Sequence, residues 1–153
     1  MMLTLLSLAF CQSLLFAEEI PKPLPKFEEA LPSEKFFNKQ PLPVGHTYGF
    51  ATNKTLKELK PLLLSNLGEG WDLKIAPPDE LAKMNKRQDF KMENAGQLVH
   101  EDFPNHSIGV TLIKMPKNDR EETKGYSKIL SIVTVDMKKA AEIDSKKSEE
   151  KSE

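Results

Sequence analysis

The run Thr55–Trp71 (TLKELKPLLLSNLGEGW) constrains the fold of this chain more than any other stretch. Thr55 and Glu58 make a Thr-x-x-Glu capping box, which satisfies backbone donors at a helix start. Leu56, Leu59, Leu63 and Leu67 then fall on one stripe at helical spacing, widened by Leu62. Gly68 is placed to stop the helix at positive φ, and Gly70 frees the chain to turn into a strand opened by Trp71. An amphipathic helix of this kind must lay its stripe on another layer, so the downstream strands read as the sheet that covers these leucines. Pro61 breaks the pattern. It lies past the first turn and removes one backbone bond, at a cost of up to about 3 kcal/mol, which predicts a kink or a helix starting near Lys60.

The strand candidates are His46–Ala51, Trp71–Ala76, Gly96–Phe103, Ser107–Met115 and Lys128–Met137. In the second, Trp71, Leu73 and Ile75 alternate with Asp72 and Lys74, giving one covered and one wet face. The third and fourth read as a hairpin turning at Phe103–His106, which is rich in turn formers. The last is the most β-rich run and apolar on both faces, which places it centrally. Pro77–Pro78 ends the second strand, and Asp79 and Glu80 suit the start of a short second helix reaching about Gln88. The fold class expected is α+β: a two-layer sandwich with one main amphipathic helix, about 55–67, on a mostly antiparallel sheet of four or five strands over residues 46–137. Trp71 is expected to plug the core above the leucine stripe.

Both ends of the chain read differently. Leu3 to Phe16 is nearly all apolar and stops at Glu18-Glu19. It is too short for a membrane span, which takes about 20 apolar residues, and fits a signal peptide cleaved after Ala17. The region before the apolar run has no Lys or Arg, and Leu15 is larger than the usual residue near such a cut. Leu8–Cys11 resembles a lipoprotein box only loosely, because Phe10 is not small; lipidation at Cys11 is the lesser reading. The expectation is a secreted or periplasmic protein with no transmembrane helix in its mature chain. Residues 18–45 hold six of the eleven prolines and are expected to be a flexible proline-rich linker. Within it, Phe27, Phe36 and Phe37 are candidate anchors of a docking peptide. Residues 138–153 are dense in Lys, Glu, Ser and Asp, and are expected to be a disordered tail.

Chemistry-bearing patterns are sparse. The net charge is −1, without the basic excess of a nucleic-acid binder. Cys11, the single cysteine, lies in the leader, so the mature chain would have neither disulfide nor thiol chemistry. Gly68-Glu69-Gly70 follows a helix, whereas phosphate loops precede one. No Gly-x-Ser-x-Gly elbow is present, no catalytic residue is assigned and no cofactor is expected. His100, Asp102 and His106 are weak candidates for a metal site near the hairpin end, which would need three or four ligands held by a second layer of partners. Asn53 and Asn105 match the N-glycosylation pattern, relevant only in a eukaryotic secretory route. Two readings follow. The first is a small exported, non-catalytic module that binds a protein or envelope partner. The second is a small-ligand carrier or enzyme with a site on the open face of the sheet. Assembly through an exposed edge strand is a third, structural possibility.

Overall fold

The structure, a computed structural model, describes residues 22–115 and 121–150, without the side chains of the last two. The leader with Cys11 and Ala17 therefore lies outside the described residues.

Six strands form one antiparallel sheet in the order β1-β2-β6-β5-β4-β3: β1 (Lys35–Leu42), β2 (Gly45–Thr52), β3 (Asp72–Ile75), β4 (Met92–Val99), β5 (His106–Lys114) and β6 (Lys128–Asp136). The helices are α1 (Leu56–Leu67), α2 (Pro78–Asn85) and α3 (Met137–Glu150). The α+β class holds. Among the described residues the strand count is six rather than four or five, and α3 is added to the main helix and the short second helix that were expected.

β3, β4, β5 and β6 run as a meander, and β2 then pairs with β6. Every neighbouring pair is antiparallel, so β2 and β3 run in the same direction with three strands between them. The connection between them must cross the sheet. Four strand spacings are about 19 Å, and the 12 residues of α1 span about 18 Å. The helix is thus the right length to strut the sheet from one side to the other.

The capping box forms as read: Glu58 N–H donates to Thr55 Oγ1 at 3.3 Å, and Thr55 N–H donates to Glu58 Oε2 at 2.7 Å. Leu56, Leu59 and Leu63 are buried, with Leu62, Leu64 and Leu67 packed at the margin. The helix begins at Leu56 and runs through Pro61. Pro61 cannot bond the Lys57 carbonyl, but both residues are exposed, so water can take the place of the lost donor. Gly68 has φ 98° and ψ −171°, a region open essentially to glycine alone. Lys60 then fastens the helix to the next strand, its ammonium donating to the Leu73 carbonyl at 2.7 Å.

Beneath α1 the core face of the sheet carries Tyr48, Phe50, Leu73, Leu98, Ile108, Val110, Leu112, Leu130 and Ile132. β6 lies between β2 and β5, in the interior of the sheet, because its Leu130 and Ile132 join this core while Ile129 and Val133 lie half-buried on the other face. The hairpin is shifted from its expected register. β4 begins at Met92 and ends at Val99, with a bulge between Met92 and Asn94, and residues 100–105 make the turn.

Two further expectations are corrected. Residues 35–42, read as linker, form edge strand β1 on β2; Phe36 lies against Phe50 at 5.3 Å between ring centroids, and Phe37 covers Gly49. Ahead of β1, Phe27, Ala30 and Leu31 are buried in the main core. The prolines here do not keep the arm free, because apolar residues between them reach the sheet. Residues 138–150, read as part of a disordered tail, lie in α3, whose first turn is capped by Asp136: its Oδ1 accepts from Lys138 N–H at 3.0 Å and Lys139 N–H at 3.1 Å. Among the described residues no helix is long and apolar enough to cross a membrane.

Candidate functional site

The hairpin turn gathers aromatic rings and histidines at one end of the sheet. Trp71 is half-buried, stacked on Phe103 at 5.4 Å and tilted against His100 at 4.9 Å. Phe27 from the arm meets its edge at 6.2 Å. Trp71 is therefore a lid on the margin of the core rather than a plug inside it.

Of the three metal-ligand candidates, His100 and Asp102 come together, with Nδ1 3.9 Å from Oδ2, and His106 does not join them. His100 is held by the backbone: its Nε2 lies 3.0 Å from the Glu69 carbonyl, and its Nδ1 accepts from Asp102 N–H at 3.0 Å. The imidazole fills the space where Gly70 has no side chain; a Cβ there would come within 2.5 Å of Nε2. Asp102 is paired with Lys22 of the arm, and that hydrogen bond lowers its carboxyl from the usual value despite opposing desolvation. His106 stands beyond Phe103, which lies between the two imidazoles at 5.4 and 6.2 Å. Among the described residues no group of three His, Cys, Asp or Glu could hold a metal ion.

The sheet face away from α1 is a different kind of surface. By strand alternation, Ala95 and Gln97 on β4, Gly109 and Thr111 on β5, and Ser131 and Val133 on β6 lie there. α2 packs against β4 at its margin. The Asn85 carboxamide clasps the Met92 backbone, accepting from its N–H at 2.7 Å and donating to its carbonyl at 3.0 Å. The result is an open trough of about 450 Å3 with Glu80 and Met84 on one wall, Lys74 and Ile75 at its end, and Gly109 and Thr111 in its floor. Nothing lies within 4 Å of where a Gly109 side chain would begin. Met84 is a large apolar residue left 39% exposed, so the trough has an apolar wall beside a floor open at Gly109.

A second recess lies at the histidine end, beside the β1–β2 turn. His46, His106, Thr134, Asp136 and Lys139 contribute its polar wall. Only His106 of these was singled out from sequence. The available signal was a histidine directly after the Pro43-Val44-Gly45 turn and an aspartate ending the last strand; register alone brings them together. Of the two glycosylation patterns, Asn53 is a structural brace, its side chain donating to the Gly125 carbonyl at 3.0 Å and accepting from Ser127 N–H at 2.8 Å. Asn105 is exposed in the hairpin turn.

No protein-family model matches the chain, no curated protein matches it, and no solved structure matches its fold.

Proposed function

We propose that this chain is a small exported, non-catalytic binding module, and that it engages a protein or envelope partner through the sheet face away from α1. The observation that carries this reading is the bare floor at Gly109 beneath the α2 wall. A sheet face with only solvated work to do would carry long polar side chains at such central positions. Here Gly109 leaves the floor open between Ala95, Gln97 and Thr111, and the α2 wall offers exposed Met84. An open recess beside an exposed apolar side chain marks interaction surfaces more often than plain solvated ones.

Two measurements test the reading. Cell fractionation with N-terminal sequencing of the product should find the chain outside the cytosol and starting near Glu18; a cytosolic chain retaining Met1 would reject export. A photo-crosslinking side chain at Thr111 should trap one discrete partner. Gly109→Arg, which has open space to enter, should abolish the adduct while leaving thermal unfolding nearly unchanged. An adduct insensitive to Gly109→Arg, or the lack of one, overturns the assignment to this face.

A further inference from the structure

The recess beside the β1–β2 turn carries its own ligand chemistry, independent of the trough. It holds about 260 Å3, the size for a compact molecule rather than a drug-sized one. Its wall is set by register: His46 of β2 faces Thr134 of β6, and His106 of β5 faces Asp136 two residues further along β6. The backbones of the two histidines flank β6 from opposite sides, two strand spacings or about 10 Å across the sheet and two residues apart along it. Imidazoles reaching inward from either side of β6 leave room for a molecule between them.

An account of the polar groups says what kind of molecule. Thr134 is spent on the backbone, its Oγ1 accepting from His46 N–H at 3.1 Å. Asp136 is spent as well. Oδ1 caps α3 through two backbone N–H groups, and Oδ2 faces the Lys139 ammonium at 3.9 Å. These backbone bonds, against a smaller desolvation effect and with help from His106 and Lys139, hold its carboxyl below the usual range, so it stays ionised. The imidazoles of His46 and His106 have ring contacts but no hydrogen bond from any described residue. No buried side-chain nitrogen or oxygen lacks a partner among the described residues, so their free ring nitrogens open onto water in the recess. Each imidazole keeps at least one unspent N–H donor and Lys139 most of its three, a set of donors that suits an acceptor. The ionised Asp136 beside them disfavours a multiply charged anion. Leu24 and Val44 supply an apolar side.

We propose that this recess binds a small aliphatic carboxylate, its oxygens held by His46, His106 and Lys139 and its hydrocarbon body against Leu24 and Val44. The carboxylate is either a free acid or the C-terminus of a peptide, since both present the same group. The test is NMR titration of the purified chain with 3-methylbutanoate, with N-acetyl-alanyl-leucine, and with 3-methylbutanamide as the uncharged control. The ring resonances of His46 and His106 should move and saturate with either acid, while those of His100, held by the Glu69 carbonyl, stay in place. The amide should have no effect. Tighter binding of the dipeptide identifies a chain end as the ligand, and tighter binding of the free acid a small metabolite. Lys139→Gln is on an exposed side chain and leaves the fold intact; it and His106→Gln should each weaken binding about tenfold, the scale of one hydrogen bond to a charged group. Absence of saturation, equal response to the amide, or wild-type binding by both variants overturns the proposal. None of these outcomes bears on the trough at Gly109.

Discussion

Residues 22–34 lead into the sheet and residues 137–150 lead out of it, and both read from composition as unfolded flanks. They end up differently. The leading segment inserts Phe27, Ala30 and Leu31 into the core, with Phe27 and Leu31 at 0% and 1% exposure. The trailing segment is a helix without a buried residue among its described side chains, with Ala140 and Ile143 only half-covered. One flank is held by burial and the other by a cap. Polarity and proline content did not decide between order and disorder in the leading segment. What decided was whether three apolar residues could reach a gap that α1 leaves on the sheet.

The strongest way to break that contrast is Phe27→Ala. Phe27 touches Tyr48 at 5.5 Å and Trp71 at 6.2 Å. Removing a buried phenylalanine costs about 3–5 kcal/mol, so the urea midpoint should fall sharply. A loss below about 1 kcal/mol, the ordinary scale of a surface change, would mean the arm rests on the domain without completing it.

Next in size is the ion pair that fastens the end of the arm. The Glu34 side chain is 3% exposed and is paired with the Lys54 ammonium. Burial pushes its carboxyl up, but hydrogen bonds from Lys54, Thr52 and Ser33 outweigh that and the net shift is downward. Lys54→Met leaves the carboxylate its Thr52 and Ser33 hydrogen bonds but removes its counter-ion, and should cost about 2 kcal/mol, the scale of a hydrogen bond to a charged group. The double variant Glu34→Gln with Lys54→Met should recover part of this. A carboxyl depressed in the folded state binds its proton more readily when unfolded. Its contribution is therefore complete above the unfolded value, about 4.3, and is lost as pH falls through the lower folded value. Urea unfolding between neutral pH and about pH 3 should show this acid-side loss in the wild type and a shallower one in Glu34→Gln.

Thr55→Ala comes third. It removes the cap of a helix that is also anchored by three buried leucines, so its loss should lower global stability by about 1 kcal/mol. No change in the unfolding midpoint would indicate that packing alone sets where α1 begins.

The elements that were legible in the sequence are those whose signal is local. The capping box, the Leu56–Leu63 stripe and the glycine stop all lie within one turn of the groups they satisfy. β6 was legible because a run apolar on both faces belongs inside a sheet. β1 was not, since Pro41 and the Lys35–Gln40 polarity describe an edge strand whose partner lies in another segment. The Met92–Asn94 bulge displaced β4 because a bulge resets the two-residue alternation that strand reading relies on. The same holds for the candidate sites. His100, Asp102 and His106 are close in sequence, yet Phe103 keeps the two rings apart. His46, His106 and Lys139 are distant in sequence and share one recess, a consequence of strand order that no local spacing encodes. The Gly109 floor is invisible for a related reason, because a glycine in a strand says nothing of what lies above it.

The smallest effect is expected at the trailing flank, and it sharpens the contrast most. Asp136 caps α3 much as Thr55 caps α1, but among its described side chains the helix it starts buries none fully to tie it to the domain. A helix of 14 residues is marginal in water without tertiary support. Asp136→Ala should therefore lower helical ellipticity at 222 nm while moving the global unfolding midpoint by less than about 0.5 kcal/mol, the scale of a surface change. Acid should act like the substitution. The Asp136 carboxyl is held down mainly by the backbone N–H groups it caps. The cap is thus intact above the unfolded aspartate value, about 3.9, and is lost as pH falls through the lower folded one. A global loss as large as that from Thr55→Ala would show that α3 covers part of the domain, and the two flanks would then be held by the same force.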